Sequence, residues 1–186
     1  ASGLSMPVGI KNDTHGDISV AVNGVLLAQQ PQAFPGITEH GQAALLKSKG
    51  NPYAHIVLRG GSQGTNYDTK SVGNAHAMLE TAKLSPALVV DTSHDNTFDE
   101  NGRKDYQRQA IVLEAGIKQI VDGDNYIPGI MMESNINAGS QIIPANLTGF
   151  DASELEYGVS ITDGCLDWPT TVALILQAHK DLALKK

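Results

Sequence analysis

Cysteine is nearly missing from this chain: Cys165 is the only one in 186 residues. A single thiol excludes an internal disulfide and fits a reducing cytoplasm, which is the expected compartment. Long apolar runs are missing too. None approaches the ~20 residues that a membrane helix needs, so no membrane partner is expected. The first residues, ASGLSMPVGI, carry neither a basic stretch nor a long apolar one and do not read as a secretory signal. Positive charge is scarce, with 13 Lys and Arg against 20 Asp and Glu and a formal net charge of −7. Without a basic stripe, a nucleic-acid partner is not expected. An anionic small molecule remains possible, because a few converging cations make a positive pocket on an acidic protein.

What is present is ordinary for a globular protein: 41% hydrophobic and 18% charged residues. The length suffices for one domain spanning 1–186 with a real core. The chain is organised around Ala87–Asn96, ALVVDTSHDN. Its apolar, β-branched start predicts a buried parallel strand, and its polar end falls where α/β folds keep their chemistry.

The rest of the chain repeats that pattern. Strands are predicted at Pro7–Lys11, His55–Arg59, Ala87–Asp91 and Ile127–Met132. Helices are predicted from an Asp17 cap to about Gln29, from an Asp68 cap to about Leu84, from Asp105 to about Val121, and after Pro169. The last of these would have a core face of Val172, Ile175, Leu176 and Leu182. Residues 34–51 read as a hairpin inserted into the repeat. The fourth strand ends in Glu133-Ser134-Asn135, and a Gly-, Asn- and Ser-rich loop then runs to Tyr157, far longer than usual connections. Four strand-then-helix units of about 30–45 residues imply right-handed βαβ connections and a parallel sheet. A full (β/α)₈ barrel has eight units and typically ~250 residues. The fold class is therefore α/β, with four strand-helix units forming a half barrel of TIM type.

The strand ends carry the candidate chemistry. Lys11 and Arg59 are placed to clamp a phosphate or carboxylate. His94, Glu133 and Asp163 are nitrogen and oxygen donors of the kind that hold Mn²⁺, Fe²⁺, Co²⁺ or Zn²⁺. Taken singly, each has a plainer reading. Lys11 also suits a surface ion pair, His94 a hydrogen-bonded structural histidine and Asp163 a helix cap. Glu133 ends an apolar strand, and an inward carboxylate there needs a partner. Their recurrence at successive strand ends favours a shared site. Cys165 reads as a small buried residue. The Gly60–Gly64 run lacks the lysine and spacing of a nucleotide loop. His15 stays open as a neighbour of Lys11.

Five segments, GLSMPVGIKN, HIVLRGG, VVDTSHDN, GIMMESN and YGVSITDGCLDW, stand in the order and spacing that resemble the type I 3-deoxy-D-arabino-heptulosonate-7-phosphate (DAHP) synthases. The resemblance implies a (β/α)₈ barrel that condenses phosphoenolpyruvate with erythrose 4-phosphate, the first step of the shikimate pathway. It implies phosphoenolpyruvate binding by Lys11 and Arg59, and three metal ligands in His94, Glu133 and Asp163, with Asp163 also touching substrate. Lys11 and His94 would be the catalytic residues. The 34–51 hairpin would help form an aromatic amino acid effector site, lined by Leu4 and Phe34. The family's fourth ligand, a cysteine, and its Lys-Pro-Arg-Thr segment lie in an N-terminal half, so this chain is expected to match the C-terminal half. Its expected partners are a missing N-terminal half or a second copy. The alternative is a non-catalytic half-barrel subunit or effector-binding module.

Overall fold

The structure, a computed structural model, describes residues 1–146 and 149–183. Leu147 and Thr148, within the long loop anticipated above, lie outside the described residues. The chain is α/β. Four parallel strands, β1 (Val8–Lys11), β4 (Ala54–Leu58), β5 (Leu88–Asp91) and β6 (Gly129–Met131), lie side by side in the order β1-β4-β5-β6. Helix α1 (Ile18–Gln29) follows β1, α2 (Thr69–Thr81) follows β4 and α3 (Gln109–Val121) follows β5. Helix α4 (Trp168–Leu182) follows β6 after the long loop. Between α1 and β4, β2 (Ala33–Ile37) and β3 (Ala43–Lys47) form a separate antiparallel pair.

The helix starts follow from local chemistry. Asp17 accepts the Ser19 backbone N–H, Asp68 accepts those of Lys70 and Ser71, and Asp167 accepts that of Thr170. Each carboxylate satisfies donors that the first helical turn leaves orphaned. The core is built from the apolar faces of α1 and α2 on the sheet, with Val22, Val25, Ile56, Leu58, Val72, Leu79, Leu88 and Val90 buried. Among the described residues, no helix is long and apolar enough to cross a membrane.

Some expectations shift. The helix expected from Asp105 begins as a 3₁₀ turn, Tyr106–Arg108, and becomes α-helical only at Gln109. Helix α2 stops at Thr81, where Lys83 takes a positive φ of 58°. The β2–β3 ladder ends at Lys47, so residues 48–51 fall outside the hairpin strands. The anticipated core face of α4 is not buried: Ile175 and Leu176 are about half exposed, and Ile111 of α3 likewise. The reason is topological. Helix α4 packs chiefly on α3, and among the described residues no strand lies beyond β6 in the sheet, so one flank of its apolar stripe meets no sheet.

Candidate functional site

All four strands point their carboxyl ends the same way, so the residues just past them converge. Lys11 closes β1, Arg59 and Gly60 follow β4, Asp91 closes β5, and Glu133 follows β6. Asp163 arrives from the far end of the long loop. That segment is tied beside β6, where Ser134 bridges Leu166 in parallel and Gly139 exchanges backbone hydrogen bonds with Cys165.

At the centre stands His94, with φ of +52°, a left-handed conformation that costs a residue with a Cβ. Its Nδ1 lies 2.7 Å from Asp163 Oδ2. Its Nε2 lies 2.8 Å from Lys11 Nζ and 3.3 Å from both Glu133 Oε1 and Asp91 Oδ2. An ammonium has no lone pair, so Lys11 donates to Nε2, and the ring proton sits on Nδ1 facing Asp163. Lys11 also donates to Asp91 Oδ2 at 2.6 Å. Asp91 is wholly buried, and its Oδ1 accepts the Ser93 backbone N–H.

Arg59 is held in the same crowded space. Its Nη1 donates to Asp95 Oδ2 at 3.1 Å, and Lys104 reaches Asp95 Oδ1 at 3.0 Å. Asp95 thus carries two cations on one carboxylate. A polar pocket of about 230 Å³ opens beside His94 and Asp163, with Lys104, Tyr106 and the hydroxyls of Ser93, Thr97 and Ser140 on its wall.

His94, Glu133 and Asp163 each offer one ligand atom, all within 4.8 Å of one another. Ligands at right angles around an ion with bonds of about 2.0–2.2 Å stand about 3 Å apart. The 3.3 Å between His94 Nε2 and Glu133 Oε1 fits that spacing, and the mixed nitrogen and oxygen set suits a borderline divalent ion. Glu133 is steered by its neighbours: Ser93 Oγ donates to its Oε2 at 2.9 Å.

The sequence-level candidates are therefore sorted by geometry. Lys11, His94, Glu133 and Asp163 are brought together, and Arg59 joins them through Asp95, which follows His94 directly. Leu4 and Phe34 are not part of this cluster. Both are exposed; Phe34 lies in β2, and the N-terminal segment that carries Leu4 is tied near it, where Ser48 Oγ meets Ser2 Oγ at 3.0 Å. His15 is mostly exposed and lies 3.8 Å from Asp13, so it does not enter the cluster. Cys165 is buried, and burial pushes its thiol up, with the carboxylates of Glu133 and Asp163 acting in the same direction. It stays a protonated thiol beside the site.

Several supporting residues escaped the sequence reading. Asn12, Asn66 and Asn96 are buried and lace the strand ends together. Asn12 Oδ1 accepts the Arg59 N–H, Asn66 Oδ1 accepts the Gly60 N–H, and Asn96 Nδ2 donates to Leu58 O and Asp91 O. Gln109 is wholly buried under Glu133. The one available signal was position: Asn12 and Asn96 lie just past strand ends.

Comparison with known proteins bears on this arrangement. The description "DAHP synthetase I family" belongs to the family profile that matches residues 1–175. A Tyr-sensitive phospho-2-dehydro-3-deoxyheptonate aldolase of Salmonella typhimurium is 46% identical over 183 residues, covering 98% of this chain and 48% of that protein. A tyrosine-inhibited one of Candida albicans is 46% identical over 187 residues, covering 100% of this chain and 49% of that protein. A solved phospho-2-dehydro-3-deoxyheptonate aldolase from Francisella tularensis superposes with a TM-score of 0.86 at 36% identity, over 100% of this chain and 50% of that one. The chain spans about half the length of these relatives.

Proposed function

The chain belongs to the DAHP synthetase I family, and we propose that it supplies half of a (β/α)₈ barrel that condenses phosphoenolpyruvate with erythrose 4-phosphate. One observation carries this reading: Lys11, His94 and Glu133, from three strand ends, meet within 3.3 Å at a single ring nitrogen. Anion-binding cations and metal-binding donors thus share one point.

In this reading Lys11 and Arg59 hold the carboxylate and phosphate of phosphoenolpyruvate and aim its C3 at the aldehyde carbon. A divalent ion (Mn, Fe, Co or Zn) held by His94, Glu133 and Asp163 supplies Lewis-acid polarisation of the aldehyde oxygen. Asp163, half exposed at the mouth, also faces the incoming aldose. Carbon–carbon bond formation leaves C2 electron-poor. Water adds there, and phosphate leaves.

The sheet's open edges at β1 and β6 and the exposed flank of α4 support a single 1–186 half-barrel domain completed by an N-terminal half or by a second copy. The β2–β3 pair is then an insertion carrying an effector site at Leu4 and Phe34. Two of the relatives are named for tyrosine sensitivity or inhibition, which favours tyrosine as the effector. The lone thiol fits a cytoplasmic setting.

Calorimetric titration of the chain with Mn²⁺ and then phosphoenolpyruvate tests the site. One manganese site is expected, lost in Glu133→Gln, and phosphoenolpyruvate binding that Arg59→Ala abolishes. A chain silent toward both ligands refutes the reading. Turnover is expected only when the other half of the barrel is supplied, and a tyrosine titration tests the effector site.

A further inference from the structure

The Lys11 contact with His94 has a chemical consequence. Nε2 of a neutral imidazole carries one lone pair, and whatever uses it excludes every other acceptor of electrons. Lys11 Nζ stands 2.8 Å from that atom. Glu133 Oε1 stands 3.3 Å from it, at the spacing of two ligands on one ion. An ion held at Nε2 would need the lone pair that the ammonium uses. We propose that Lys11 and the divalent ion compete for the His94 Nε2 lone pair, so that loading the ion turns the Lys11 ammonium off His94 and frees it for the anionic substrate. This rests on the metal-site reading above and adds to it an order of assembly.

The pivot is Asp91. Its carboxylate is wholly buried, anchored through Oδ1 to the Ser93 N–H, and it holds Lys11 Nζ at 2.6 Å independently of His94. The lysine therefore does not depend on His94 to stay in the site. When its hydrogen bond to Nε2 is lost, the ammonium keeps its counter-ion and has donors left over. The side chain of Lys11 is 37% exposed, so those donors are within reach of solvent and of an anion arriving from it. An ammonium shared between Asp91 and His94 binds an anion less well than one held by Asp91 alone. By linkage, the ion then strengthens anion binding, and the anion strengthens ion binding by the same factor.

The test is calorimetric titration with MnCl₂ of the wild-type chain, of the double variant Lys11→Met with Asp91→Asn, and of Lys104→Met. The double variant removes the competing ammonium and its counter-ion together. Net charge is unchanged, and because Asp91 Oδ2 itself stands 3.3 Å from Nε2, Asp91→Asn alone is titrated beside it, so that the difference between the two variants reports the ammonium and not the lost carboxylate. Removing a competitor raises apparent affinity by the fraction it had occupied, and about a tenfold tightening is expected. Lys104→Met removes a charge on the same pocket without touching His94, and its affinity is expected to stay within about threefold of wild type. Should the double variant not fold, a crystal structure of the manganese-loaded wild-type chain decides. Nζ is expected beyond hydrogen-bond reach of Nε2, more than about 3.5 Å away, and still on Asp91. Equal manganese affinities in wild type and double variant overturn the proposal, as does a loaded structure with Nζ still beside Nε2. A wild-type chain that binds no manganese overturns the metal reading itself, and the competition with it.

Discussion

Gln109, in the first turn of α3, grips both backbone groups of Glu133. Its Oε1 accepts the Glu133 N–H at 2.8 Å, and its Nε2 donates to the Glu133 carbonyl at 3.1 Å. Thr92 Oγ1 donates to the same Oε1 at 2.9 Å. One buried amide thus ties helix, strand end and candidate metal donor together. Gln109→Leu leaves the Glu133 N–H and the Thr92 hydroxyl without partners, while the Glu133 carbonyl keeps the Leu166 N–H at 3.1 Å, and a cost of about 2–4 kcal/mol is expected in urea unfolding. Manganese affinity should fall about tenfold or more, because the residue that orients a ligand has gone. A variant with wild-type stability and affinity contradicts this role.

The Lys11–Asp91 pair should be asymmetric. The Asp91 carboxylate is wholly buried, whereas Lys11 reaches solvent. Lys11→Met strands a buried charge and is expected to cost about 3 kcal/mol. Asp91→Asn leaves an ammonium that water can solvate, at about 1 kcal/mol. Urea denaturation of both variants at pH 7 gives the order directly.

His94 combines an imidazole that the site uses with a backbone that few residues tolerate. Asparagine is several-fold enriched at positive φ, and valine is an outlier there. His94→Asn is therefore expected to fold close to wild type and to lose manganese binding. His94→Val should lose binding and also about 1–2 kcal/mol of stability. Thermal unfolding beside manganese calorimetry separates the two effects.

Gly60 and Gly61 are the glycines that the β4 end demands. Gly60 has φ of +73°, and a Cβ there would lie 2.5 Å from the carbonyl carbon of Asp95. At Gly61 a Cβ would run into the backbone of Gly16. Neither obstacle is a flexible side chain. Gly60→Ala is expected to cost at least about 2 kcal/mol. It should also weaken phosphoenolpyruvate binding, because it pushes Asp95 away from Arg59. Gly102→Ala, with open space around it, is the control for positive φ alone.

Asp13 makes a local acid-sensitive link in the β1–α1 turn. The backbone N–H of Asp17 lowers its carboxyl below the usual range, with His15 and Gly16 donating to the same oxygen. A group whose folded value is lowered contributes stability above its unfolded value and loses it as pH falls through the folded one. The contribution should therefore be intact at neutral pH and fade below about pH 4. Asp13→Asn should flatten the slope of unfolding free energy against pH in that acid window and leave the slope above it unchanged.

Much of the fold is legible because its causes are local. Asp17 and Asp68 cap helices through donors two or three residues away. The apolar spacing of Val72, Ala75 and Leu79 is a property of one helix. Strand positions came within one or two residues, because a buried parallel strand needs an unbroken apolar run. The α4 stripe misled, since periodicity says which face is apolar but not whether anything covers it. The buried roles of Asn66 and Gln109 gave no signal for the opposite reason, and Asn12 and Asn96 were marked only by their place past strand ends. A polar residue looks alike whether water or a distant backbone group satisfies it.

For the site, the sequence by itself supplied the candidates: Lys11, Arg59, His94 and Glu133 stand at or just past the ends of apolar strands, whose shared direction carries them to one face, and Asp163 closes the long loop. Only the tertiary structure decided their relations. Lys11 reaches past β4 to the β5 residue Asp91, Asp163 meets Nδ1 of His94 while Glu133 and Lys11 meet Nε2, and Asp95 joins Arg59 to Lys104. Those partners are set by the strand order and register of the sheet and by how the long loop is tied beside β6. Such distances join residues as far apart as 83 positions along the chain, and no local pattern encodes them.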